Sequence, residues 1–575
     1  MNRNVESHFS RLPAANVQRS VFDRSSSHKT SFNAGEIIPF YVDEVLPGDT
    51  FDITTSKIVR SQTLLTPLMD NMYLDTYWFF VPNRLTWQHW EEFCGENKLG
   101  PWAQTVDYTI PTIGCPESGH FESGTLADYM GLPIRSFWDT KSALAPSALP
   151  FRAYALIINQ FFRDENFSNP LLVPLDDANV VGSNAAPYGE NADLSSCAKG
   201  GKPYLANKYH DYFTSALPAP QKGSAVSVPL PINGHVSTTD KIFAPSYTLP
   251  LIFGAPSADQ ENVLVGAGDT DGQLYVRGSS YIPNDKINSL YMSSGSVVWN
   301  NNMAFPSDGQ KAVITQRSLV PLNLGLTDTS ASFTINAFRL AYTYQCYLEA
   351  IARSGSRYGE MLQSIFGVTN PDSRLQHPEY LGGNRIAINV SEVTNTAQAE
   401  KDFLGDVGAK TLTSDVNHDF VKSFTEHGIL MGLCVVRHDH SYSQGLERWW
   451  TRKKFLDFYN PKFANLGETP IYKAEIYAGD FRESQTATIS SDPINNSKST
   501  FGYQECWAEY RYKPSRVSGE MRPGFPGSLA YWHLGDFYST APTLSESWLF
   551  EDKTNLDRAL AVSSVVANQF WADFY

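Results

Sequence analysis

Three groups of residues in this chain are of types that could do chemistry. His438-Asp439-His440 follows a strongly apolar run, and in extended chain His438 and His440 project from one face, a spacing that can suit a metal ion. No third ligand is identifiable in the sequence, so the expectation is a satisfied polar strand end, with no metal and no other cofactor. Residues 445–458, GLERWWTRKKFLDF, set Trp449 and Trp450 beside Arg452, Lys453 and Lys454. Bases stack on aromatic faces while cations hold phosphates, so this cluster suits single-stranded nucleic acid without sequence readout. The competing expectation is two core tryptophans beside solvated cations. The third group is N-terminal. Residues 1–30 carry five Lys/Arg (Arg3, Arg11, Arg19, Arg24, Lys29) against Glu6 and Asp23, a local balance of +3. Arg511, Lys513, Arg516 and Arg522 form a further basic group, which suits phosphates or the rim of a subunit contact equally.

Catalytic signatures are scarce. The sequence has no GxSxG elbow, no HExxH and no Walker A loop. Gly266 to Gly272 approaches a dinucleotide loop, but its glycine spacing is wrong and no helical pattern follows; it reads as a surface turn. Asp176-Asp177 and Asp269/Asp271 offer carboxylates to calcium, yet neither loop matches an EF-hand.

Composition narrows the classes. The net charge of −15 excludes a coat held to nucleic acid by bulk attraction, so any such contact must be local to one arm or face. Charged residues are 18% and aromatics 13%, a balance that calls for a large core or extensive interfaces. Six scattered cysteines without a CxxC pair read as free thiols. No apolar h-region and no stretch near ~18 apolar residues is present, so neither a signal peptide nor membrane insertion is expected.

The elements that must position these groups are mostly strands. Residues 1–35 lack apolar periodicity and read as a flexible basic arm. Runs at Ile37–Leu46, Phe51–Val59 and Met72–Val81 are strand-like, separated by short turns such as Pro47-Gly48-Asp49, and predict consecutive antiparallel neighbours. Asn384–Val393, His427–Arg437, Pro470–Tyr477 and Glu505–Tyr512 bring the strands to seven; an eighth is expected between residues 100 and 325. His427–Arg437 is almost continuously apolar, as in a strand covered on both faces. Helices are expected at Trp87–Asn97 with Thr86 as cap, at 151–166, and at 335–353. The last is apolar on almost every side, so it should be buried under or between sheets, or at a subunit contact. Residues 176–316 hold eight Lys/Arg and twelve Asp/Glu, with strand-like islands at Ala225–Pro229, Val263–Val265 and Gln273–Val276, and read as a surface insertion. The fold class is therefore mainly β, an eight-stranded antiparallel jelly roll with long loop insertions and a few helices. Its parts are the arm, 36–175, the insertion, and 317–575.

Several stretches also carry a family resemblance. Arg19-Ser20-Val21-Phe22-Asp23-Arg24, then Lys29 to Gly35 and EIIPFYVDEVLPGDT, resemble the start of the major capsid protein of gokushoviruses, within the Microviridae. Phe338–Gly383 is similar to the family block of helix, Arg-Tyr step, Phe-Gly-Val turn, Pro-Asp turn and Pro-Glu-Tyr-Leu-Gly-Gly exit. Met69–Trp87, His427–Tyr472 and Phe501–Pro523 also resemble family stretches, in the same order. Two departures stand out: Ala350-Ile351 where the family usually has Arg-Asp, and His377 where Arg is common. The resemblance implies a structural, non-enzymatic subunit of a T = 1 icosahedral shell, roughly sixty copies by symmetry, around a circular single-stranded DNA genome. It implies further partners in a pilot protein, a small DNA-binding protein and a host-cell receptor, met by threefold protrusions built from the insertion. Location would be the virion, with the host cytoplasm during assembly. Arm cations and the Trp449–Lys454 cluster would face the interior. The alternative class is a jelly-roll carbohydrate-binding protein or glycosidase, since aromatic-rich β folds bind sugars.

Overall fold

The computed structural model describes residues 18–98, 107–134, 145–226, 334–396, 404–464, 466–478, 499–524, 526–551, 553–560 and 568–575, and the backbone of separate strands between 227 and 333. Eight strands make two four-stranded sheets: β1 His28–Phe32, β2 Ile38–Val45, β3 Thr50–Ser61, β4 Met72–Pro82, β5 Glu379–Ala387, β6 Thr413–Ser423, β7 Gly428–His438 and β8 Phe570–Phe574. One sheet runs β1-β8-β3-β6 and the other β5-β4-β7-β2, with every pairing antiparallel.

Strand β7 shows why the chain folds this way. Its side chains alternate between two cores. Leu430, Cys434 and Val436 join the core between the two sheets, with Phe40, Trp78, Phe420 and Phe574. Ile429, Met431, Leu433 and Val435 join a second core on the far side, with Phe151, Tyr154 and Ile157 of helix α1, Leu149–Ile157. The continuous apolar run is thus covered on both faces. Between the sheets, the Phe40 and Phe574 rings stack at 4.5 Å, and Trp78 meets Phe420 edge-on at 5.6 Å. Fully burying such a ring contributes about 1.5–3 kcal/mol. Gly432 is required here: a Cβ at that position would stand 2.8 Å from the Phe40 ring.

Buried charge crosses the second sheet. Asp75, on β4, is 2% exposed. It accepts hydrogen bonds from Arg385 of β5 (2.8 Å), from Arg437 of β7, and from the Tyr209 hydroxyl (2.8 Å). Both guanidinium groups also sit over the Tyr209 ring, at 4.3 and 4.2 Å. Burial raises the Asp75 pKa, but Arg437, Arg385 and Tyr209 outweigh it, and the net shift is downward.

Several expectations need correcting. The early strands are not consecutive neighbours: β2 and β4 flank β7, while β3 lies in the other sheet. Each is drawn to the partner that completes its buried face, which the local turn cannot dictate. The run expected over Asn384–Val393 is divided between β5 and a strand Val390–Thr394, which pairs with Val407–Thr411. Pro470–Tyr477 is strand only to Tyr472 and then turns helical. Glu505–Tyr512 is not a strand. Thr500–Glu505 pairs with Glu468–Tyr472, after which Trp507 adopts a φ of 70° and a helical turn follows at Ala508–Tyr510. Among the described residues, no strand between 100 and 325 belongs to the two large sheets; β1, β6 and β8 complete them instead. Since β1 begins at His28, part of the stretch read as arm is sheet.

Helix α2, Ile335–Ser354, forms as expected but is not buried within the chain: only Ala352 is. Leu340 is 73% exposed, and Phe338, Tyr342, Tyr344 and Tyr347 are exposed as well. The helix expected at Trp87–Asn97 is reduced to two short turns, Asn83–Thr86 and Trp90–Phe93. Residues 151–166 are helical to Phe162, the end being π-helical.

The chain divides into two compact units, one of residues 1–224 with 346–575 and one of 225–345. In the second, Ile232–Thr238 pairs antiparallel with Leu324–Ala331. Leu264–Ala267, Leu274–Arg277, Ser289–Ser293 and Ser296–Trp299 form an antiparallel meander. The island at 225–229 lies mostly outside the described residues, as do Asp269 and Asp271.

Candidate functional site

Arg3 and Arg11 fall outside the described residues. The other arm cations are each held to the protein surface. Arg19 donates to the Gly48 carbonyl, Arg24 pairs with Asp43 at 2.7 Å, and Lys29 lies 3.3 Å from Asp573 of β8. The exposed chain from residue 18 thus runs into β1 as an ordered extension of the first sheet.

The Trp449–Lys454 segment is a surface feature. Trp449 and Trp450 stack at 3.9 Å and are 45% and 60% exposed, so they are not core residues. A helical turn, Arg448–Thr451, presents them. Asp457 accepts the backbone N–H of Lys453 (2.8 Å) and of Lys454 (2.7 Å), which fixes the loop and leaves both ammonium groups outward. Arg452 does not join them. It donates to Glu509 at 2.9 Å and lies 4.2 Å over the Tyr510 ring. The other basic group is also largely committed: Arg511 pairs with Glu505, and Lys513 and Arg516 with Glu447. Around the tryptophans, Phe455, Leu456, Phe458, Tyr459 and Tyr510 are exposed, forming a broad apolar surface.

The Glu468 side chain is buried against Arg353 at 2.7 Å. Burial, with Glu349 and Glu505 nearby, overcomes Arg353 and pushes the Glu468 pKa up to about 7. A raised carboxyl pKa means that the folded chain holds a proton the unfolded chain has lost, between its ordinary value near 4.5 and about 7. Stability therefore falls as pH rises through that window. Glu468→Gln removes this slope, and its melting temperature should exceed that of the parent at about pH 8 more than at about pH 5. Equal differences at both pH values would contradict this assignment.

The two histidines, His438 and His440, do find a partner. His438 closes β7, and Glu551 reaches them from 111 residues beyond His440. Glu551 Oε2 lies 2.9 Å from His440 Nε2, and Oε1 lies 2.6 Å from His438 Nδ1. His440 Nδ1 is bonded to Asp536 at 2.9 Å, and Asp536 also receives Tyr538, Asn555 and Lys208. Burial disfavours a charged His440, but Glu551 and Asp536 outweigh it and hold its pKa at about 9. Both carboxyl groups are held well below their usual range, since the paired cations outweigh the cost of burial. No motif in the residues around Glu551 marks it as a partner of the two histidines. Asp177, a calcium candidate, is instead bonded to the Trp87 indole (2.6 Å) and to His89 (2.8 Å).

A two-sheet frame with a covered central strand and an extensive exposed aromatic surface suits a subunit that packs against others. The comparisons agree. The family model described as Capsid protein (F protein) matches residues 10–575. The chain belongs to that family and is a structural major capsid protein, a virion component. Capsid protein VP1 of Chlamydia phage 1 is 38% identical over 99% of this chain and 95% of its own length. Capsid protein VP1 of Spiroplasma virus 4 is 38% identical over 93% and 89%, and that of Bdellovibrio phage phiMH2K 34% over 100% and 96%. The gokushovirus resemblance is borne out, and the sugar-binding or glycosidase alternative gives way to a structural role. Among the described residues no helix is long and apolar enough to cross a membrane, and all six cysteines are free.

Proposed function

We propose that the chain closes a T = 1 icosahedral shell, roughly sixty copies by symmetry, around a single-stranded DNA genome. The two four-stranded sheets are then the halves of a jelly roll, and assembly takes place in the host cytoplasm with the other virion proteins. One observation carries the reading: Leu340 of helix α2 and the apolar surface of Phe455, Leu456, Phe458 and Tyr459 are exposed in the single chain. Monomeric proteins rarely leave such patches in water, and obligate interfaces bury ~2,000 Å² or more. Co-expression with the other virion proteins should give sedimenting shells visible by negative stain. Phe455→Glu with Leu456→Glu should give folded, unassembled chains. Each lost apolar contact removes about 1.5–3 kcal/mol, roughly tenfold or more in association per contact. Shells that formed normally from this double variant would remove the surface from the interface.

The interior DNA contact is proposed for Trp449, Trp450, Lys453 and Lys454, whose rings and ammonium groups face outward from the fold. Arg452 is better placed as a support, through Glu509 and Tyr510. Arg3, Arg11, Arg19, Arg24 and Lys29 are proposed to contact the genome as well. Lys453→Ala with Lys454→Ala should lower the genome's thermal protection and reduce the logarithmic salt slope by about 1.4, at about 0.7 per lost phosphate contact. Full DNA content with unchanged salt sensitivity would count against the contact.

A further inference from the structure

The cluster at the end of β7 has features that hydrogen bonding alone does not explain. His438 and Glu551 are 4% and 0% exposed. His438 Nδ1 lies 2.6 Å from Glu551 Oε1, but His438 Nε2 has no hydrogen-bond partner. Buried polar atoms are rarely left so, because each costs about 1–3 kcal/mol. One carboxylate straddles two imidazoles, an oxygen facing each.

We propose that His438, His440 and Glu551 form a structural zinc site that pins the C-terminal segment to the end of β7. One ligand atom from each residue lies within 4.8 Å of the others. Two ligands at about 2.0–2.2 Å from one ion stand roughly 3.4 Å apart in a tetrahedral shell, so small side-chain rotations suffice. Two imidazoles and a carboxylate suit zinc, where oxygen-only sets suit calcium or magnesium. Both oxygens of Glu551 face the imidazoles, so a bidentate carboxylate can complete four donors.

The surroundings are arranged for this. Asp536 accepts from His440 Nδ1 at 2.9 Å, which fixes the ring's orientation and aims Nε2 at Glu551. Glu551 is placed by its backbone, independently of its side chain. Its N–H donates to the Ala206 carbonyl at 2.8 Å, and its own carbonyl occupies the space that a Cβ at Gly35 would need, 2.1 Å away. Gly35 has a φ of +82°, so the position already favours glycine. Lys208, 3.4 Å from Asp536, offsets part of the charge. Because an unfolded chain has no such site, binding free energy becomes folding free energy.

The test uses the full-length chain, stripped with a chelator and then titrated with zinc or cobalt. Elemental analysis after exhaustive dialysis should find about one zinc per chain, and zinc should raise the melting temperature. The cobalt form should show the intense visible absorption of a tetrahedral site. Glu551→Gln should lose that absorption, and Asp536→Asn should keep it with affinity weakened about 10–100-fold. Should Glu551→Gln fail to fold, the wild-type titration decides alone. A folded wild-type chain that takes up neither ion in this stoichiometry would overturn the site. So would a folded Glu551→Gln variant that binds cobalt as the parent does, because the metal would then be elsewhere on the surface.

Discussion

Asp75→Ala is expected to cost about 3–5 kcal/mol, the penalty for stranding a buried charge by removing its partner. The stranded group is chiefly Arg437, whose side chain is 13% exposed, whereas Arg385 at 53% can turn to water. Asp75 also joins β4, β5, β7 and the Tyr209 segment, so its loss frees three contacts at once. Against a typical stability of about 5–15 kcal/mol, this is enough to leave much of the chain unfolded or aggregated on expression. Asp75→Asn keeps the shape without the charge and should fall between parent and alanine. The Asp75→Leu, Arg437→Leu double variant should be more stable than Asp75→Leu alone, because replacing both charges removes the uncompensated cation. Acid should mimic the single variant. The Asp75 pKa is lowered in the fold, so its stabilisation is full above the ordinary carboxyl value and disappears as pH falls through the depressed one. A melting temperature for Asp75→Ala within a degree or so of the parent would sink the argument.

What the sequence revealed, and what it hid, follows from how local each signal is. β4 and β7 were legible because each is a long run of apolar or aromatic residues with its own turn signals. β6, TSDVNHDFVKS, was not. Its exposed positions mix Ser414, His418 and Ser423 with Val416 and Val421, and only Phe420 is a large buried side chain, so pairing with β3 makes it a strand. β8 depends on two partners far away in sequence, β1 and β3. Helix α2 had the right span and the wrong environment: all-round apolarity tells that a surface will be covered, not that its own chain covers it. The site divides in the same way. The stacked tryptophans and the two lysines could be read from neighbouring letters. The diversion of Arg452 to Glu509 and the arrival of Glu551 beside His438 and His440 could not, because both are tertiary contacts.

Excising residues 239–323 should leave shells that assemble and protect DNA but attach poorly to host cells. The deletion is geometrically mild. Thr238 pairs with Leu324 across an antiparallel ladder, so the cut ends lie about 5 Å apart and a short Gly/Ser hairpin can join them. It is also energetically contained, since the described strands between Ile232 and Ala331 pair only with one another and none belongs to the two large sheets. Residues 176–224 belong to the first compact unit, with Cys197, Tyr204 and Phe213 buried, so only the later part of the acidic, turn-rich stretch 176–316 suits a solvated projection that tolerates change and meets a receptor first. Host attachment should therefore fall by far more than shell yield, with some loss of heat resistance if the projections of neighbouring copies interlock. The informative measurement is binding of purified particles to host cells beside their sedimentation. A truncated chain that did not fold would make the stretch part of the core. Truncated particles that bound the host normally would place attachment elsewhere on the capsid.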